Sequence, residues 1–379
     1  SRRFTASYDV INPGIVLTAN VITTAIPVPW PEPGTYGGGT VNVTLSSETE
    51  GATIYYTKDG VTAPTTESTL YSGPIVVNAD MTIKAIAVAE GLLDSSVVTL
   101  DYEIKNDFAG GDGTEENPYL VSTADELDKV RDYPYAYFKQ TANIDLDVEP
   151  YNTSEGWSPI GGYDYTEEEY YPFCGIFDGQ EYTISNLFIN RVALNDGDPY
   201  REVGLFGSVE EAQIRNVKLL NVDVSGDSYV GGLVGYAWNS LIENCSSTSG
   251  NVHGTGYCIG GLVGESELSQ ITGSYTRGCA ISGEDDVGGL VGLSNSVSQI
   301  TGSYSTCTVS GKTEVGGLVG LNHGQIYNSF ALGDVTGTGM SIGGLAGMNN
   351  LQFAKIENAY AMGKVQGVSQ VGGLVGYSS

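Results

Sequence analysis

The sequence predicts an all-β protein whose larger part is a right-handed parallel β-helix with about 28 residues and three strands per turn. A short helix is expected to cap its N-terminal end, and a small antiparallel β-sandwich to precede it. Three observations predict this. One phrase returns at a nearly fixed interval: GIFDG and VGLFG, then VGGLVG, IGGLVG, VGGLVG, VGGLVG, IGGLAG and VGGLVG. Their last glycines are Gly179, Gly207, Gly235, Gly264, Gly292, Gly320, Gly347 and Gly376, spaced 28, 28, 29, 28, 28, 27 and 29 residues apart. A second mark, I-x-N or I-T-G, follows each phrase up to Gly347 after five to nine residues, at Ile184, Ile214, Ile242, Ile271, Ile300, Ile326 and Ile356. Between the marks, Val and Ile alternate with polar residues and no apolar stripe of helical period survives. A period of this size denotes a solenoid, and Gly, Ser, Thr and Val where a helix pair needs Ala, Leu and Glu make it a β-solenoid.

In such a solenoid each strand bonds to its equivalent one turn away, about 4.8 Å off, so equivalent side chains stack in columns. Leu233, Leu262, Leu290, Leu318, Leu345 and Leu374 are expected to form one buried column. The glycine pairs before them fit a corner that needs positive φ or close backbone approach. Asn186, Asn216, Asn244, Asn328 and Asn358 are expected to stack as an amide ladder, interrupted at Gly273 and Gly302. The phase predicts about eight turns, roughly 35–40 Å of stack.

The phrase (V/I)GGL(V/A)G followed by I-x-N resembles the GLUG repeats of bacterial surface proteins, which occur in adhesin-like proteins and beside some secreted proteases. The resemblance covers about half the chain and implies a surface or secreted protein.

Taken in order, residues 1–25 hold strand-like runs around Pro13-Gly14 and read as leader strands or the tail of a preceding domain. Residues 26–105 carry short alternating runs such as VNVTL, TIYYT and TIKAIAV between turn residues, the pattern of an antiparallel sandwich. PGTY at Pro33, IYYTKDG at Ile54, APT at Ala63, YSGPI at Tyr71 and IKAIAV at Ile83 resemble the chitobiase/β-hexosaminidase C-terminal-like module, a fibronectin-type fold. That resemblance implies an accessory role, spacing or weak binding. Lys58-Asp59-Gly60 reads as a hairpin turn. Residues 106–379 form the third region, with clear repeats over 175–379. At its start Ser122 or Thr123 can cap a helix carrying Asp125 and Glu126 in its first turn, with Leu127 and Val130 on one side. A helix here would cover the open end of the solenoid.

Between WSPIG and FCGIFDG, the stretch GYDYTEEEYYP reads as an excursion. Tyr163, Tyr165, Tyr170 and Tyr171, with Asp164, Glu167, Glu168 and Glu169, make it the chain's most unusual surface. It suits a sugar platform, a protein contact, a calcium loop or a plain acidic lid; Tyr163, Tyr165, Tyr170, Tyr171, Glu167 and Glu168 are the ligand-binding candidates.

The chain has 45 acidic and 16 basic residues and a net charge of −29, of which −18 falls in residues 106–230. Nucleic acid and anionic membranes are therefore poor partners. No run of 18 apolar residues exists to span a membrane. Five cysteines make no disulfide framework; Cys279 and Cys307 should be stacked neighbours with free thiols. With His253 and His323 as the only histidines, expected on loops, no metal or other cofactor is expected.

For catalysis, Asp145, Asp147 and Glu149 on one strand, Asp178 a turn later, and Glu284, Asp285 and Asp286 are the candidate acid–base groups. No HExxH, GxSxG or P-loop phrase accompanies them. The expectation is a non-catalytic, monomeric, adhesin-like scaffold, extracellular on a bacterial surface or secreted, and a piece of a longer protein. Its ligand would be a glycan or a host or matrix protein; a polysaccharide-processing enzyme or its accessory region is the alternative.

Overall fold

The computed structural model describes residues 22–36, 39–105, 107–164, 169–191 and 202–379, and the backbone of two paired strands, Thr5–Asp9 and Val16–Asn20. They form two compact units, Ser1–Asp107 and Phe108–Ser379.

In the first unit, a three-stranded sheet (Val28–Trp30, Val41–Ser46, Ile75–Val77) faces a five-stranded one built on Thr53–Thr57, Met81–Val88 and Val98–Ile104. The alternating runs explain the two layers. In VNVTL, Val43 and Leu45 turn inward and are buried while Asn42 faces out. They share a core with Ile54, Ile75, Val77, Ile83, Leu100 and Tyr102. All strand pairs in this unit are antiparallel except Gly34–Tyr36, which lies parallel to Val98–Ile104. The Asp59 carboxylate accepts from the backbone N–H groups of Val61 and Thr62, which fixes the turn at Gly60.

The second unit is a parallel β-solenoid. Thr123 caps the helix Ala124–Lys129 through a capping box with Glu126, and Leu127 and Val130 are fully buried beneath it. Each regular turn contributes to four stacked parallel sheets, of nine, twelve, seven and six strands, rather than three. The GGLVG run is split between two of them. Leu233 and Val234 both donate their N–H groups to the Leu262 carbonyl, at 2.9 and 3.1 Å, and the next turns repeat this. Successive N–H groups of a strand point opposite ways, so two on one acceptor mark a corner. Six turns carry all four strands, fewer than the eight the phase suggests.

The glycine pairs serve close approach and not positive φ. A Cβ on Gly288 would lie 1.8 Å from the Val291 carbonyl oxygen, and one on Gly289 2.1 Å from that of Gly317. Positive φ falls two residues before the first glycine of each pair, at Tyr229, Cys258, Asp286, Glu314, Ser341 and Gln370. The phrase-ending glycines Gly264, Gly292, Gly320, Gly347 and Gly376 pack against that strained peptide of the preceding turn, leaving no room for a side chain. Gly207 and Gly235 are equally closed: a Cβ would meet Gly161 O at 2.3 Å and Val203 N at 2.6 Å. Of the leucine column, the first five are fully buried, whereas Leu374 is 40 % exposed on the final turn.

The first repeat is out of phase. Phe177 of GIFDG pairs with Ile214 and Ile184 with Leu219, so these runs lie one sheet further round than the phrases they resemble. The true equivalent of VGLFG is WSPIG, since Ile160 bridges Phe206. Asn186 consequently stacks with Asn221, whose side chain donates to it at 2.7 Å, and not with Asn216, Asn244, Asn328 and Asn358. Those four share a column with Gly273 and Gly302. All six have φ between 50° and 60°, so left-handed backbone unites them. Only Asn328 and Asn358 bond amide to amide, at 3.3 Å.

Serine forms the ladders that asparagine does not. Ser240, Ser269 and Ser298 each accept the N–H of the residue one turn earlier (Ala212, Ser240, Ser269) at 3.0–3.2 Å. Ser274, Ser303 and Ser329 do the same for Cys245, Ser274 and Ser303. Each N–H at these two corners, which no strand pairing satisfies, thereby finds a buried partner.

Candidate binding surface

Among the described residues, the solenoid leaves its path within the rung that starts at Trp157. Ile160 bridges Phe206 and Phe173 bridges Val209, so the two halves of one strand flank an inserted hairpin, Gly162–Asp164 with Glu169–Tyr171. Trp157, Ile160 and Phe173 are buried, and the Trp157 indole donates to the Leu205 carbonyl at 3.1 Å. The base of the hairpin is therefore locked into the core while its arms project.

In the hairpin Tyr163 faces Tyr170 across the strands. Tyr170 is 40 % and Tyr171 49 % exposed, while Tyr163 is half-buried. Burial around the Tyr170 hydroxyl, with Glu210 and Glu202 near it, pushes that group up to about 12. Tyr165, Glu167 and Glu168 lie outside the described residues.

Three tyrosines that the sequence reading did not single out extend this surface. Tyr229 meets Tyr236 and Tyr257 edge to face, with ring centroids 6.2 and 5.2 Å apart. The Tyr236 hydroxyl donates to Glu267 at 2.8 Å, and Tyr236 lies near Tyr170. Tyr229 and Tyr257 precede two successive I/V-G-G phrases by one and two residues, and Tyr236 follows one directly; that phase is the signal that could have found them. A second aromatic file, Tyr275, Tyr304, Phe330 and Tyr360, is stacked nearly parallel at 4.8–5.1 Å. Its inner faces cover one another, so it serves stacking of turns, not sugar rings.

The candidate acid–base residues are not brought together. Asp145 is in the twelve-stranded sheet and Asp178 in the nine-stranded one. Asp145 accepts from the Asp147 N–H at 3.0 Å and the Asn186 amide at 2.7 Å, which hold its carboxyl below the usual range. Asp178 accepts from Asn216, the Gln180 N–H and Arg215; despite opposing burial, these keep it low as well. A general acid needs the reverse shift. Asp147 accepts from Asn152 at 3.0 Å, Glu149 is exposed beside Pro150, and Glu284 pairs with Lys312 at 3.4 Å. Asp285 accepts from Thr313 in the next turn.

Among these candidates Asp286 alone has a raised carboxyl, to about 7: burial is the main cause, and Glu314, Asp285 and Glu265 add to it. Glu265, buried and raised for the same reason, accepts from Asn295 at 3.2 Å. No group of three or more His, Cys, Asp or Glu side chains is poised for a metal among the described residues. His253 lies within a strand and not on a loop, its Nδ1 2.9 Å from the Ser282 hydroxyl; His323 follows a strand at a corner. The five cysteines are unbridged, and the Cys279 N–H points at the Cys307 Sγ, 3.2 Å away.

Comparison with known proteins agrees with the two-part fold. Residues 31–99 match the chitobiase/beta-hexosaminidase C-terminal domain, and residues 226–252 and 311–336 match the GLUG motif. The chain is 37 % identical over 170 residues to a protein of Evansella cellulosilytica named as a Gly-rich membrane protein, covering 43 % of this chain and 17 % of the relative. It is 32 % identical over 202 residues to halomucin of Haloquadratum walsbyi, covering 51 % of this chain and 2 % of that one. The chain thus spans less than a fifth of the length of either relative. No helix among the described residues is long and apolar enough to cross a membrane. The molecule is a β-solenoid bearing GLUG motifs with a chitobiase/β-hexosaminidase C-terminal domain ahead of it, similar to proteins of the surface type.

Proposed function

We propose that this chain is the ligand-presenting part of an extracellular bacterial protein, secreted or held on the cell surface, acting as a non-catalytic, adhesin-like scaffold. The observation that carries this reading is the tyrosine hairpin anchored at Trp157, Ile160 and Phe173, which holds exposed rings on a rigid rung. Tyrosine offers a broad apolar face with a polar tip and little entropy to lose, which suits both pyranose rings and protein surfaces. The carboxylates near Tyr170, Glu202 and Glu210, add acceptors for hydroxyl or amine donors. The partner is a glycan or a host or matrix protein, bound by a monomer without cofactor.

The test is binding of the whole chain to glycan and matrix-protein panels, with a Tyr170→Ala/Tyr171→Ala variant. Loss of a bound ligand in that variant, at unchanged melting temperature, supports the reading; binding to nothing on either panel removes it. Reducing ends released from a polysaccharide panel, and abolished by Asp145→Asn or Asp178→Asn, would replace it with a polysaccharide-processing enzyme.

A further inference from the structure

Three tryptophans occur in the chain, and they are treated differently. Trp157 is fully buried and Trp238 half-buried, but Trp30 is 73 % exposed. It stands on the edge strand of the three-stranded sheet in the first unit, opposite Thr44, and its carbonyl accepts the Thr44 hydroxyl at 3.0 Å. An indole is among the largest apolar surfaces a chain can leave in water, at about 25 cal/mol per Å². Nor is it alone. Val28 on the same strand is 48 % exposed, and Val76 on the far strand 52 %. Between them the central strand presents Asn42, Thr44 and Ser46 outward. The Asn42 amide makes no hydrogen bond among the described residues.

The three strands of this sheet also carry no charged residue. None of Val28, Trp30, Asn42, Thr44, Ser46 and Val76 bears a charge, in a chain of net charge −29. A cationic partner would be drawn to the acidic surface of residues 106–230 and gains nothing here; an anionic one is repelled by the chain as a whole. What matches a flat apolar ring with an adjacent free amide is a ligand with an apolar face, many hydroxyls and no charge. We infer that the outer face of the three-stranded sheet, centred on Trp30 with Asn42 beside it, is a binding site for a neutral polysaccharide, separate from the tyrosine hairpin. The indole takes the apolar face of one sugar ring and the Asn42 amide bonds to its hydroxyls. Strand spacing places Val76 about 10 Å from the Trp30 strand, enough for a second ring along the polymer.

The experiment is co-sedimentation of the whole chain with three insoluble neutral polymers: β-1,4-linked glucan, β-1,4-linked N-acetylglucosamine and α-1,4-linked glucan. It is run at low and high salt with the wild type, Trp30→Ala, Trp30→Phe and Tyr170→Ala/Tyr171→Ala. The expected result is binding to at least one polymer that is insensitive to salt and weakened tenfold or more in Trp30→Ala. Trp30→Phe should restore most of it, and the hairpin variant should bind as wild type does, so failure of the hairpin reading leaves this result standing. The inference is overturned if no polymer binds, if Trp30→Ala binds like wild type at an unchanged melting temperature, or if affinity falls with salt. It is equally overturned if sedimentation velocity shows Trp30→Ala abolishing self-association while polymer binding persists.

Discussion

The regular turns from Val230 onward and the interrupted turns before them solve the same packing problem with opposite materials. In the regular turns the interior is narrow: leucine and isoleucine columns are flanked by serine ladders, and the glycine corners let backbone rest on backbone. In the earlier turns the interior is filled by Phe138, Phe173, Phe177, Phe206 and Trp157, all buried, with ring centroids 5.2–6.4 Å apart among the phenylalanines. Insertions can leave the solenoid there because large rings hold the rung on either side of the gap. A solenoid that must carry a projecting hairpin therefore thickens its core where the hairpin departs.

The largest expected effect lies at the glycine corners. Gly288→Ala puts a methyl group 1.8 Å from the Val291 carbonyl oxygen, so the corner between the two residues must open. The loss should be about 4 kcal/mol or more, seen as a large drop in melting temperature. Gly278 makes the control: its φ is +66° with nothing within 4 Å, and Gly278→Ala should cost only about 1–2 kcal/mol. Equal losses at the two sites would show that close approach is not what the paired glycines provide.

In the early turns the corresponding break is Phe177→Ala, expected to cost about 3–5 kcal/mol by denaturant midpoint. Phe177 touches the rings of Phe138 and Phe206, so the variant should also expose the hairpin base to proteolysis. A loss below about 1 kcal/mol, the scale of an ordinary surface change, would mean the aromatic filling is incidental.

Much of this contrast is legible in the sequence, and the part that is not has a physical cause. The phase of Leu233, Leu262, Leu290, Leu318 and Leu345 gives the stacking outright, because identical residues at one interval must coincide in space. The same regularity misleads at GIFDG: Gly179 precedes Gly207 by 28 residues, yet its structural partner is Asn216, 37 residues on. Extra chain after Arg191 restores the apparent interval by accident. The fourth sheet is hidden because GGLVG reads as one run, and the bend shows only in the carbonyls, such as that of Leu262, that accept two successive N–H groups. The hairpin could be recognised as an excursion from its composition, but Tyr229, Tyr236 and Tyr257 join it only through the fold. Nothing in the sequence marks Trp30, since sequence does not say which face of a short edge strand meets water.

Stacking in register also sets like beside like, and the two regions differ in how they treat acids. Asp178 in the early turns is matched with Asn216 and Arg215 and titrates low, so its stabilisation is present above pH 4 and is lost as pH falls through its depressed value. Asp286 sits one turn from Glu314 with Glu265 facing it, and its raised value means the folded state binds the proton more tightly. Its contribution is best below pH 4 and declines as pH rises to about 7. Asp286→Asn should thus raise the melting temperature at pH 8, with the gain shrinking to nothing near pH 4. Asp178→Asn should lower it at pH 7, with the deficit closing in acid. Melting curves across pH that show the same sign for both variants would refute this division.

The smallest effect separates two explanations of the asparagine corner. Asn244 has φ 53° and its side chain makes no hydrogen bond among the described residues, while the next turn places Gly273 at φ 60° in the same column. If left-handed backbone alone selects the residue, Asn244→Gly should be neutral within about 0.5 kcal/mol, the sum of a small entropic loss and relief of strain. Asn244→Ala should cost about 1 kcal/mol, because alanine pays the left-handed penalty without the local polar compensation that asparagine enjoys. Asn328 then supplies the other half, since its oxygen accepts from Asn358 at 3.3 Å. Asn328→Gly should lose that bond and fall below Asn244→Gly by roughly 0.5–1 kcal/mol. Indistinguishable glycine variants at the two positions would mean that the amide contact adds nothing to what the backbone already dictates.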